Sequence, residues 1–168
     1  MSVFDELLAI KRFREDQAEL ALARQRQAHG QARDAWTQAQ ARLRDYRGWA
    51  RRRERELYDE LCARVVRVRE IEAVLTGVGL LREAEREHER TCQAAQDALE
   101  RAAQHLAERR QAHGEAVRRT GKFVELARLH LAEHLGALER QEDAELEEAA
   151  SLAREREDWE QHEEVDFS

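Results

Sequence analysis

Leu75-Thr-Gly-Val-Gly-Leu-Leu81 (LTGVGLL) holds the only closely spaced pair of glycines in this chain, Gly77 and Gly79. The sequence has 168 residues, seven glycines and no proline, so a chain reversal is easiest to place here. The stretch also lies near the middle, with long helix-forming segments on both sides. Reading it as a turn decides the fold: an all-α, long two-helix antiparallel coiled-coil hairpin. The expected boundaries are a helix over 3–75, a turn over 76–79, a helix over 80–160 and an acidic tail over 161–168. At ~1.5 Å per residue each helix would extend roughly 110–120 Å.

The segments on either side support helices. Arg, Glu, Ala, Gln and Leu dominate, and all are strong helix formers. Aromatics make up only 5% and no window alternates β-branched residues as a strand would. Upstream of the turn, apolar or small residues recur at steps of three and four: Leu22, Gln25, His29, Ala32, Trp36, Ala39, Leu43, Tyr46 and Ala50. The phase slips near Leu57, as at a stutter, and resumes with Leu57, Leu61, Arg64, Val68, Ile71 and Leu75. Downstream the row runs His88, Cys92, Ala95, Leu99, Ala102, Leu106, Arg109, His113, Ala116, Thr120, Phe123 and Ala127. Heptads sustained over this length argue for a coiled coil, and the many seam alanines allow close approach. Ser2 precedes Asp5 by three residues, the spacing of a capping box. A break at Gly30, Gly48, Gly114 or Gly121, folding the hairpin into a shorter bundle, and parallel dimerisation of a straight helix are the alternatives.

Charge is uneven. The formal net charge is −7, yet Glu139–Ser168 carries thirteen acidic residues against three basic ones, a net of −10. Arg42–Arg69 has ten arginines against five acids. The opening MSVFDELLAIKR is acidic early and lacks the apolar core of a signal peptide. No stretch approaches the ~20 apolar residues of a membrane span. Cys62 and Cys92 are too few for a disulfide framework, which suits a reducing compartment. The expected location is cytoplasmic, with no membrane insertion. In the expected hairpin the two cysteines stand nearly level.

Motifs that suggest chemistry have simpler explanations. RQAHG occurs at Arg26–Gly30 and Arg110–Gly114, but in the expected hairpin the copies are out of level by ~18 Å. Their histidines fall on seam positions, where a lone polar residue sets register. His130-Leu-Ala-Glu-His134 matches the H-x-x-E-H zinc pattern, yet a two-helix rod offers neither a third ligand nor a shaped cavity. Serine occurs only at positions 2, 151 and 168, and there is no phosphate-binding glycine loop. No enzyme activity, cofactor or metal is expected. The arginines of YRGWARRRERELY (Tyr46–Tyr58) are interrupted by Glu54 and Glu56 in an acidic protein, which favours an acidic protein surface over nucleic acid.

Four stretches carry a family resemblance: YRGWARRRERELYDEL (Tyr46–Leu61), the short central turn, GKFVEL (Gly121–Leu126) and the acidic EDAELEEA (Glu142–Ala149). Over nearly its full length the chain resembles the type III secretion stalk family SctO/YscO and its flagellar relative FliJ. The resemblance implies a two-helix coiled coil that binds a hexameric secretion ATPase in its central pore. It implies contact with the export gate protein and, in some members, with secretion chaperones. It implies peripheral association with the inner-membrane secretion apparatus. By that analogy the open end, Phe4–Phe13 with Phe123–Leu138, enters the ring, and the turn end, Val68–His88, reaches the gate. The partner-binding candidates are Phe4, Leu7, Leu8, Phe13 and Phe123 at the open end, Arg51, Arg52 and Arg53 for acidic ring loops, and Val78 at the turn. Val3, Phe4, Leu7, Leu8, Ile10 and Phe13 offer more apolar surface than one helical partner covers, and stapling the hairpin's end is an equal explanation for them. The alternative role is a coiled-coil scaffold or chaperone escort acting outside the ring.

Overall fold

A computed structural model describes residues 2–166. Two helices account for nearly all of them: α1, Val3–Cys62, and α2, Val68–Asp166, of 60 and 99 residues. Among the described residues there is no strand. The capping box forms as its spacing demands. The Ser2 hydroxyl donates to Asp5 Oδ2 at 3.0 Å, the Ser2 N–H donates to the same oxygen at 3.2 Å, and the Asp5 N–H donates to Ser2 Oγ at 3.3 Å.

The position of the turn is corrected. The helices are joined by residues 63–67, Ala-Arg-Val-Val-Arg, and Gly77 and Gly79 lie inside α2. The connection uses no left-handed backbone, so glycine offers it nothing. The Ala63 N–H makes a last helical bond to the Asp59 carbonyl at 3.1 Å, and the β-branched pair Val65-Val66 then leaves the helical path. α2 restarts when the Arg67 N–H donates to Glu70 Oε2 at 3.3 Å, half of a capping box without the usual Ser or Thr. The second helix also runs past residue 160 to Asp166, so most of the expected tail is helical; 167–168 lie outside the described residues.

The chain divides into two compact units. One is Arg14–Ala116, which contains the turn and forms an antiparallel two-helix hairpin. Its core is thin: Leu22, Ala39, Ala50, Val78 and Leu106 are the buried apolar residues. The seam rows of the sequence face inward: Gln25, His29, Ala32, Trp36, Leu43, Tyr46 and Leu57 on α1 are at least half-covered, as are His88, Cys92, Ala95, Leu99 and Ala102 on α2. Arg109, placed on the seam by spacing, is exposed, as are Arg64, Val68, Ile71 and Leu75, which fall in the connection and on α2 and not on the seam of α1. The supposed slip before Leu57 is filled by Arg53 and Glu54, both half-covered, so the row continues. Gln25 Nε2 donates to the Ala102 carbonyl at 3.1 Å, which records the register directly. That register separates the cysteines, correcting their expected level placement. Cys62 is exposed at the end of α1, whereas Cys92 lies beside Gln40, Leu43 and Arg47. His113 lies eleven residues beyond Ala102, ~16 Å of helix, while His29 is one turn from Gln25 on the other side, so the two RQAHG copies stay apart.

The other unit comprises the chain up to Phe13 and from Val117 onward. Its first part is again a helix pair. Thr120, only 8% exposed, donates its hydroxyl to the Lys11 carbonyl at 3.4 Å, and the Lys11 ammonium lies 5.3 Å from the centre of the Phe123 ring. Phe4 stacks on His130 with ring centres 4.5 Å apart. Beyond that contact α1 has ended, and α2 continues without it.

Candidate partner-binding surface

At the open end the amphipathic spacing of α1 sorts the six apolar residues into two sets. Phe4 and Leu8 are half-covered, with Phe4 against His130 on α2. Val3, Leu7, Ile10 and Phe13 are exposed, from 38% at Leu7 to 68% at Val3. Phe123 is half-covered beneath Lys11. Stapling therefore accounts for Phe4, Leu8 and Phe123, and an apolar row remains on the outside. Where α1 begins, a groove of ≈ 490 Å³ is lined by Phe4, Asp5, Ala127, His130, Leu131 and His134. His130 of the H-x-x-E-H motif is thus engaged in a ring stack. Among the described residues no set of three or more His, Cys, Asp or Glu converges as metal ligands would.

The hairpin unit carries the basic segment. Arg51 and Arg52 are exposed and Arg53 is half-covered, with its Nη1 3.2 Å from Glu56 Oε2 one turn on. Val78 is 5% exposed, so the hairpin's own seam takes it up and it is not available to a partner. The apolar residues that the turn does present are Val65 and Val68, flanked by the exposed Arg64, Arg67 and Arg69.

Sequence reading missed a cross-helix clamp one turn before the arginine run. Arg47 Nε donates to Glu85 Oε1 and its Nη2 to Glu89 Oε1, both at 2.9 Å. These carboxylates, Glu89 foremost, raise the guanidinium's affinity for its proton. The neighbouring Tyr46 hydroxyl donates to the Leu81 carbonyl at 2.8 Å, and its ring lies 4.6 Å from that of His88. Burial, and then the Glu85 charge, push the phenol above its ordinary value, so it stays a neutral donor. Further along α1, Glu54 accepts from Arg82 Nη2 at 3.2 Å. The signal was present as Tyr46-Arg47 in the family-like stretch, but nothing local says which carboxylates these residues reach. Removing the hydroxyl in Tyr46→Phe is expected to cost about 1 kcal/mol in urea unfolding. Arg47→Ala should cost less than Tyr46→Phe, because its ion pairs are partly exposed to solvent.

No helix among the described residues is long and apolar enough to cross a membrane. With the geometry in hand, comparison with known proteins is specific. The family model for type III secretion protein YscO matches residues 4–152. No curated protein matches the sequence. Among solved structures, the 2.8 Å crystal structure of type III secretion protein YscO from Vibrio parahaemolyticus is similar at 28% identity and a TM-score of 0.82. The similarity covers 86% of this chain and 91% of that one. The two-helix fold, the heptad seam and a family match over most of the length agree, and the chain belongs to the YscO family of type III secretion proteins.

Proposed function

We propose that this protein is a stalk of a type III secretion export apparatus, binding the hexameric export ATPase and linking it to the export gate. The supporting observation is the apolar row Val3, Leu7, Ile10 and Phe13, which α2 leaves uncovered at the open end of the helix pair. Apolar residues clustered on the outside of a soluble helix mark a protein contact. The open end enters the ring. One asymmetric protein touches six similar subunits unequally and biases their conformations through differential contact. The exposed Arg51 and Arg52 meet acidic loops of the ring. The turn end, now Cys62–Ile71 and not the region around Val78, reaches the gate. The role is mechanical and not enzymatic, in the cytoplasm at the inner-membrane apparatus.

The test is ATP hydrolysis by the purified cognate export ATPase with this protein titrated in and complex size followed by light scattering. A saturable rise in rate at about one chain per ring is expected, since a single asymmetric ligand suffices to bias the subunits. Leu7→Ser/Ile10→Ser should abolish that rise while leaving helix content unchanged, because both side chains are exposed. Absence of binding and of any rate change would remove the ring and leave the scaffold or chaperone-escort role.

A further inference from the structure

α2 carries a second apolar row in the unit that begins at Val117. Val117, Val124, Leu131, Leu138, Leu152 and Trp159 recur at intervals of seven, with Glu145 in the one intervening position and Leu146 beside it. Every member is exposed, from 42% at Val117 and Val124 to 74% at Trp159. This is not the row that α1 covers. That one runs through Thr120, Phe123 and Ala127. The second row lies alongside it, three or four residues from each seam position, so it continues an interface already in use. It then outlasts that interface. From Leu131 to Val165 every residue but Gly136 is exposed.

A seven-residue apolar repeat is the pattern of a left-handed coiled coil, and it gains nothing on a helix alone in water. The segment is also costly by itself. Single helices depend on packing for most of their stability, and like charges one turn apart weaken them. Glu139–Ser168 has a net charge of −10. A second copy of the same segment in parallel would double that charge in the same place. An anionic lipid surface or a nucleic acid would be repelled for the same reason.

The geometry points to a partner α-helix with its own heptad apolar seam and Arg or Lys on the flanking positions, docked along the Leu138–Trp159 part of that row, where the acidic residues flank it. Such a helix covers the exposed leucines and offsets the carboxylates together. The inference goes beyond the stalk reading and does not depend on an ATPase.

The probe is a labelled synthetic helix of about four heptads, Leu on the seam and Lys or Arg flanking it, long enough for stable pairing. A control peptide has the same seam with Glu flanking. Binding to the full chain is followed by anisotropy and by Trp159 fluorescence, with Trp36→Phe/Trp49→Phe as background. Saturable one-to-one binding of the basic peptide is expected, with none of the acidic one. Leu138→Asp/Leu152→Asp should weaken it by more than about tenfold, since each leucine's burial is worth at least that factor. Both side chains are exposed, so circular dichroism should show the variant folded. Two results overturn the proposal: no saturable binding of the basic peptide, or equal affinity for wild type and the double variant. Self-association of the chain that Leu138→Asp/Leu152→Asp abolishes overturns it too, by assigning the row to a second copy.

Discussion

Gly79→Pro is expected to destabilise the hairpin unit by about 3 kcal/mol or more, the cost of a proline inside a helix. Proline removes the position's N–H from the helical ladder, and its ring collides with the carbonyl four residues back. Gly79 is exposed within α2, more than two turns past the helix start. Two companion substitutions give the result its meaning. A Cβ at position 79 would meet nothing within 4 Å, and the backbone there is not left-handed. Gly79→Ala should therefore stabilise the unit by about 0.5–1 kcal/mol by restricting the unfolded chain and improving helix propensity. Val68→Pro places proline at the first helical position of α2, where the N–H has no helical acceptor, and should be close to neutral. Urea unfolding followed by far-UV circular dichroism measures all three. A turn at 76–79 demands the opposite pattern, with proline tolerated at 79 and alanine costly.

The second large effect concerns register. Leu22 and Leu106 are 5% and 7% exposed, and they flank the Gln25–Ala102 hydrogen bond by three and four residues. They occupy the same level of the seam. Leu106→Asp should cost about 3–5 kcal/mol, combining lost leucine packing with a carboxylate that has no buried partner. A unit with five buried apolar residues has little reserve, so much of its helical signal should melt early. The control lies on the same helix. Leu152→Asp replaces a leucine that is 53% exposed and should change stability by no more than about 0.5 kcal/mol. Equal effects at the two positions would mean that the seam does not run through Leu106.

Legibility from sequence varied with the range of the interaction involved. The Ser2–Asp5 cap was readable because both partners lie within one turn. The half-cap Arg67–Glu70 was not, because arginine is not an N-cap residue and nothing local marks it. At the open end, spacing identified the six apolar residues of α1 but not which of them α2 would cover. Phe4 and Leu8 are covered while Leu7 and Ile10 are not, and that division follows from the face α1 turns toward His130 and Phe123. Val78 shows the reverse error. Its glycine neighbours made it look like loop, and its burial follows from a helix that continues through them.

By itself the sequence determined the helical class, most of the seam residues away from the turn, the cap at Ser2 and the division into an arginine-rich middle and an acidic end. Those properties depend on propensity, period and charge, which act within a few turns. Only the tertiary structure decided where the chain reverses. A heptad seam is nearly unchanged when one helix slides along the other by seven residues, so many registers satisfy the same apolar pattern. Contacts that do not repeat, Tyr46 on Leu81 and Arg47 on Glu85 and Glu89, select one. They place the turn at residues 63–67, ahead of the glycines, and this early reversal makes α2 39 residues longer than α1. The exposed acidic stretch at its far end follows from that choice.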